Sequence, residues 1–311
     1  MTRTFDRSLA AGIAALGLTA GIAQADQVFV DDVIATGSLC VGQDCVNGES
    51  FGFDTIRLKE NNLRIKFQDT SNSASFPTND WQLTANDSSN GGANKFSIDD
   101  IDGGRTPFTI EASAPSHSLY VDDGGRIGLG TSTPIVDLQV VSGNSPTLRL
   151  EQNGSSGFTA QTWDLAGNEA NFFVRDVTNG SALPFRIFPD APQNALTILG
   201  SSGDIGIGTA TPDSPLHLSR SGAVNARFED TALGVEWESG LAGNDTFKIS
   251  AVGTSGVQFR FTREGGMVMQ PQAAAPTVSV GDGMLYYDNS GALCARVQGA
   301  WVVLSGTGSC V

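Results

Sequence analysis

Any chemistry in this chain has to come from a short inventory of side chains. Four cysteines stand in two local pairs, Cys40 with Cys45 and Cys294 with Cys310. Three aspartates, Asp99, Asp100 and Asp102, crowd one turn ahead of Gly103-Gly104, and the two histidines, His117 and His217, are far apart. The Cys40-x4-Cys45 spacing supplies at most half of a zinc site, because structural zinc takes four ligands and no second Cys or His pair lies nearby. An even count in close pairs, in an exported chain, reads instead as two disulfides. The aspartates present oxygens at a spacing that suits calcium, but the loop lacks the downstream Glu of an EF-hand. A solvated turn is the preferred reading, with Asp99, Asp100 and Asp102 kept only as candidate ligands and no metal assigned.

Acid–base and nucleophilic roles find no footing. His217 alternates with Leu216 and Leu218 at a place where a similar stretch carries Gln139, and a slot that takes Gln is not where a catalytic base is expected. No serine or cysteine has a local base. Gly128-Leu129-Gly130 and Gly206-Ile207-Gly208 invite a phosphate-loop reading, which needs a helix start behind the glycines and, in the P-loop type, a lysine. Thr-x-Thr-Pro and another strand follow instead, so these glycines read as close backbone approach at a tight bend. The expectation is a protein that is not an enzyme and holds no cofactor.

The ends and the charge say where such a chain works. Arg3 and Arg7, an apolar stretch from Leu9 to Ile22 and the small residues Ala23-Gln24-Ala25 before Asp26 form the pattern of a cleavable secretory leader, residues 1–25. The apolar stretch is too short for a comfortable membrane span, so no membrane insertion is expected and the mature chain is secreted or held at a cell surface. The whole chain sets 18 Lys and Arg against 33 Asp and Glu. Losing Arg3, Arg7 and Asp6 leaves 16 against 32, a net charge of −16. Nucleic acid and anionic membranes are repelled by that balance. Charged residues make up only 16%, below the usual share of about 25%, and Gly numbers 38.

Self-similarity then organises the chain. Gly125-Arg126-Ile127-Gly128-Leu129-Gly130-Thr131-Ser132-Thr133-Pro134 returns as Gly203-Asp204-Ile205-Gly206-Ile207-Gly208-Thr209-Ala210-Thr211-Pro212, and from Ile127 to Glu151 the offset stays at 78. Trp81, Trp163 and Trp237 recur, as do Phe96-Ser97-Ile98, Phe172-Phe173-Val174 and Phe247-Lys248-Ile249. Leu63-Arg64-Ile65 is matched to Leu148-Arg149-Leu150 and Ala226-Arg227-Phe228. Apolar residues alternate with polar ones between turn pairs such as Asn90-Gly91, Asn153-Gly154 and Asn179-Gly180, which is the signature of strands. The expected fold is all-β, an elongated structure built from β repeats. An N-terminal β segment with a Cys pair spans 26–60, three repeats span 61–270 (61–144, 145–222 and 223–270), and a C-terminal β cap with a Cys pair spans 271–311. The last repeat is expected to stop before its Gly-Ile-Gly element.

The three tryptophans offer platforms for stacking sugars, but a place that recurs in every repeat is where a repeat puts its own packing, and packing is preferred. Each repeat carries one thin apolar stripe and open strand edges, which one chain does not cover alone. An intertwined homotrimer that buries the stripes is expected.

The element Gly-x-Ile-Gly-x-Gly-Thr-x-x-Pro-x-x-x-Leu, seen from Arg126 to Val140 and from Asp204 to Leu218, resembles the repeat of tail-fibre-like proteins of phages and bacterial surfaces. The resemblance implies an elongated trimer used for attachment. Many such fibres end in a helical chaperone with a self-cleaving Ser-Lys pair; here no lysine follows Gln270, so self-cleavage is not expected. The segment from Gly283 to Leu304 resembles the small strand-rich caps of fibre and collagen-like chains, and a receptor-binding tip is the sharper alternative for it. A structural fibre or shaft is the leading expectation, and an adhesin that recognises glycans or a host surface is the other. A polysaccharide-degrading β-helix would need a cleft with paired acids, and no such pair recurs.

Overall fold

The structure is a computed structural model, described for residues 28–242, 245–254, 256–277 and 280–310. The leader expected at 1–25 and the mature start at Asp26 lie outside the described residues. Strands are joined by turns throughout, and no helix is present among the described residues, so the chain is all-β. Two compact units divide it, one ending at Val141 and the other starting at Ser142.

In the first unit β1 (Leu39–Val41) and β2 (Ile56–Leu58) pair in parallel. Cys40 is bonded to Cys45 beside them, and Arg57 and Lys59 close on Glu49 at 2.8 and 3.1 Å. An antiparallel meander follows, β3 (Leu63–Phe67), β4 (Trp81–Ala85), β5 (Lys95–Asp100) and β6 (Arg105–Glu111). After it come β7 (Tyr120–Val121), β8 (Ile127–Leu129) and β9 (Leu138–Val140), of which the last two run parallel.

The second unit contains the same two kinds of sheet. Its first meander is β10 (Thr147–Gln152), β11 (Gln161–Gly167), β12 (Phe172–Asp176) and β13 (Ala182–Ile187). The three-stranded sheet of β14 (Thr197–Ile198), β15 (Ile205–Ile207) and β16 (Leu216–Leu218) comes next, with β15 and β16 parallel. A five-stranded meander takes in β17 (Val224–Asp230), β18 (Val235–Leu241), β19 (Phe247–Ala251), β20 (Phe259–Phe261) and β21 (Met267–Met269). Last is the antiparallel sheet of β22 (Leu285–Tyr287), β23 (Leu293–Val297) and β24 (Ala300–Ser305).

The pairing registers of the three meanders coincide. Trp81 stands opposite Phe67 and Asp100, Trp163 opposite Leu150 and Asp176, and Trp237 opposite Phe228 and Ala251. Two rungs on, Ile98 meets Phe108, Val174 meets Phe185 and Ile249 meets Phe259. One sequence match shifts as a result. Counted from tryptophan, the partner of Leu148-Arg149-Leu150 is Ile65-Lys66-Phe67, one pleat beyond the Leu63-Arg64-Ile65 expected from the run of residue types. The long link from Phe67 to Trp81 hides this in the sequence, because an apolar-basic-apolar triplet reads alike at Leu63 and at Ile65.

The third meander, within the 223–270 expected for its repeat, carries on into the turn that leads to the Gly-Ile-Gly strand in the other two repeats. Thr262 N donates to Gly266 O at 2.8 Å and Gly265 N to Thr262 O at 3.1 Å, the bonds that Asp122, Arg126 and Gly125 make at 3.0 and 3.1 Å in the turn from β7 to β8. β20 therefore serves both as the fourth strand of its meander and as the first strand of that hairpin, which adds β21.

Parallel neighbours usually need a crossover of about a dozen residues. The links from β8 to β9 and from β15 to β16 span only residues 130–137 and 208–215. This works because each strand has three residues and rises only about 10 Å, a distance that a folded loop of this size returns over.

Candidate functional site

Alternation along each meander sorts side chains to two faces. The apolar face of the second meander carries Leu148, Leu150, Trp163, Leu165, Phe172, Val174, Phe185 and Ile187. All of these except the half-buried Val174 are exposed, Leu148 at 56% and Leu150 at 54%. Side chains of this kind belong in a core and gain ~1.5–3 kcal/mol each when fully buried. The opposite face is polar in kind yet holds the buried positions: Asp164 at 0% and Ala166 at 3%, together with Phe173. In the first meander Thr84 and Ser97 are buried while Phe67, Trp81 and Ile110 are exposed, and in the third Ser250 is buried while Phe228, Trp237 and Phe261 are exposed.

The polar face covers itself with its own long side chains. Asp164 on β11 accepts from Arg149 Nε at 2.8 Å and Arg175 Nη2 at 2.6 Å, its partners on the same rung of the two adjoining strands. The Arg149 hydrogen bond, opposed by burial and helped by Arg175, holds the Asp164 carboxyl down at about 2. Glu238 takes the equivalent place on β18; Lys248 pairs with it and lowers its pKa, and Asn225 donates to it at 3.1 Å. Gln82 fills the place in the first meander and donates to Thr84 at 2.8 Å. Sequence reading passed over Asp164, because Arg149 and Arg175 reach its rung only through the pairing of β10 and β12 with β11.

The tryptophans, expected to pack within their repeat, stand on the apolar face at 42% exposure for Trp81 and 37% for Trp163 and Trp237. Within one chain they touch cross-strand neighbours and remain open to water. The glycines have definite duties. A Cβ on Gly128 or Gly206 would lie 2.2 Å from Thr131 O or 2.6 Å from Thr209 O. Gly130 and Gly208 both hold φ at 81°, with Val141 O and Ser219 O where a Cβ would go. Thr131 and Thr209 side chains accept from the Thr133 and Thr211 amides at 3.2 Å, and Pro134 and Pro212 are buried beneath the loop. The loop is a packed corner, with each glycine backed by a carbonyl.

Asp99, Asp100 and Asp102 do not converge. Asp99 accepts from Thr84 and Thr106 at 2.5 and 3.0 Å; burial opposes its ionisation, but these hydroxyls and that of Ser97 hold its pKa low. Asp100 caps the Gly103 amide at 2.9 Å, and Asp102 takes the Asp80 amide at 2.8 Å. No group of three metal-ligating acids, histidines or cysteines is present among the described residues. His217, half-buried, lies 3.0 Å from Asp213, and His117 stacks edge-on to Tyr120 with its ring centroid 5.5 Å away. Asn194 keeps the place of His117: both hold a left-handed φ, 60° and 64°, and their carbonyls accept from Gly208 and Gly130.

No protein-family model, curated protein or solved structure matches the chain. The tail-fibre resemblance rests on the Gly-Ile-Gly-Thr elements alone.

Both cysteine pairs are bonded. Cys294 is fully buried with Tyr286 and Ala292, and Trp301, Ala275 and Cys310 pack against this small core. Tyr286 meets Trp301 edge-on at 4.8 Å; burial, then the charge of Asp288, raises its hydroxyl pKa. Arg296 lies over the Trp301 ring at 5.7 Å. A hollow of 430 Å³ in the second unit is lined by Pro192, Ile207, Leu218, Val224 and Asn225 among others, and another of 380 Å³ by Met267, Met269, Leu285, Tyr287 and Leu293, with no acid pair in either. No helix among the described residues is long and apolar enough to cross a membrane.

Proposed function

We propose that this chain is a secreted structural subunit of a bacterial or phage-like surface, a non-catalytic fibre or shaft protein that works as a homotrimer. The observation that carries the reading is the water-facing apolar face repeated in three meanders, with tryptophan on the same rung each time. A second copy of the chain is the occupant it fits, because every copy brings the same apolar face while the other face is polar and closes its acids Asp164 and Glu238 with its own basic residues. The resemblance to tail fibres supplies the number three. Sedimentation equilibrium with crosslinking tests it: the wild type runs as a trimer, and Leu150→Glu or Trp163→Glu shifts it toward monomer. A stable, compact monomer at micromolar concentration ends the proposal.

A glycan- or surface-binding adhesin is the second reading, favoured by the exposed tryptophans and by Trp301 with Arg296 above it at the C-terminal sheet. Binding on a glycan array that is lost with Trp301→Ala, or with changes in the Asp99 turn, supports it over an inert shaft.

A further inference from the structure

Four Asn-Gly pairs lie in turns of this chain, at Asn47, Asn90, Asn153 and Asn179, and the surroundings of the last three differ in a way that decides their chemistry. Asn90 is exposed in a turn closed by Gly92 N donating to Ser89 O at 3.0 Å, and its carboxamide makes no hydrogen bond among the described residues. Nothing lies within 4 Å of the position a Cβ would take on Gly91, and the Gly91 amide donates no hydrogen bond to the backbone of the described residues. Asn153 is also exposed, but its side-chain oxygen accepts from the Ser155 amide at 3.0 Å. Asn179 is held hardest. Its Nδ2 donates to Asp176 Oδ2 at 2.6 Å, its backbone amide donates to Asp176 Oδ1 at 3.2 Å, and Gln161 fixes that carboxylate at 2.7 Å.

We infer that Asn90 is a site of spontaneous deamidation and that Asn179, with the same Asn-Gly sequence, is protected by Asp176. The Gly91 nitrogen attacks Asn90 Cγ and forms the C–N bond of a five-membered succinimide, while the Cγ–Nδ2 bond breaks and ammonia leaves with the amide proton. Water then opens the ring at either carbonyl. The products are aspartate or isoaspartate, and in sum one water is consumed and one ammonia released without an oxidant or reductant. At Asn179 the carboxamide must first leave a charge-assisted hydrogen bond, which is the strong kind. The Asp176 carboxylate beside it also disfavours the anionic nitrogen that attack requires. At Asn90 neither restraint exists. Each event adds a negative charge, or a backbone methylene as well, to a turn of an already acidic chain.

The test is peptide mapping of the full-length protein held in mildly alkaline buffer, with aspartate and isoaspartate scored at Asn90, Asn153 and Asn179. Native protein is expected to convert Asn90 about tenfold faster than Asn179, the cost of breaking a hydrogen bond to a charged group. In denaturant the three rates converge, because the local Asn-Gly sequence is then all that acts. Asp176→Ala raises the Asn179 rate toward that of Asn90 in the folded chain. Equal native rates at Asn90 and Asn179, or a ratio unchanged by denaturant, overturn the inference, and neither reading depends on how the Asp176 variant folds.

Discussion

Asp164 shows how a single residue organises a sheet that has little apolar burial. It is fully buried on a rung flanked by arginines on both sides, and its carboxylate takes hydrogen bonds from both. A carboxyl whose folded pKa is depressed, here to about 2 from 3.8, contributes stability that is present above the unfolded value and lost as pH falls through the folded one. Acid titration followed by circular dichroism should show the second meander losing stability between about pH 4 and pH 2. Asp164→Asn should cost about 1–2 kcal/mol at neutral pH in chemical denaturation, because two half-exposed arginines lose their partner but regain water. A variant as stable as the wild type at neutral pH, with an unchanged acid transition, would show the cluster to be idle.

Glycine corners and disulfides act on whole elements. Gly130 and Gly125 hold nearly the same left-handed backbone, φ 81° and 78°, but a Cβ at Gly130 meets Val141 O at 2.4 Å while one at Gly125 meets nothing. Gly125→Ala should cost about 1 kcal/mol, the backbone term alone, and Gly130→Ala about 2 kcal/mol more, because the parallel link must open. Equal costs in thermal unfolding of the two variants would refute the packed corner. The Cys294–Cys310 bridge closes a longer loop than Cys40–Cys45, sequence separations of 16 and 5, so it stabilises by up to ~3 kcal/mol against ~2. Cys310→Ser should loosen β22 to β24 to protease and hydrogen exchange while leaving the meanders protected. Both duties were legible in the residue types, since the glycines recur at a fixed offset and the cysteines stand in close pairs.

For the molecule as a whole, the described residues of one chain bury few large apolar side chains. Besides Phe173 and Tyr286, the buried hydrophobic residues are alanines and Cys294. If copies of the chain cover the apolar faces, folding and association are linked, and the Tm must rise with protein concentration by about 2 °C for each tenfold step. A Tm independent of concentration over two decades would mean that the chain folds without its copies. Alternation of apolar and polar residues was enough to read strands, turns and an all-β chain, because a period of two is a local property of extended backbone. It also separated the two faces of each sheet. Local pattern says nothing about which face meets water, and here the polar face closes over itself while the apolar face stays open. Loop length likewise set the pairing of Phe67 with Trp81, and long-range pairing brought Arg149 and Arg175 to Asp164 and gave β20 its second partner. Hydrogen bonds between strands far apart in the chain depend on what the folded backbone brings side by side, and no short stretch of residues contains that information.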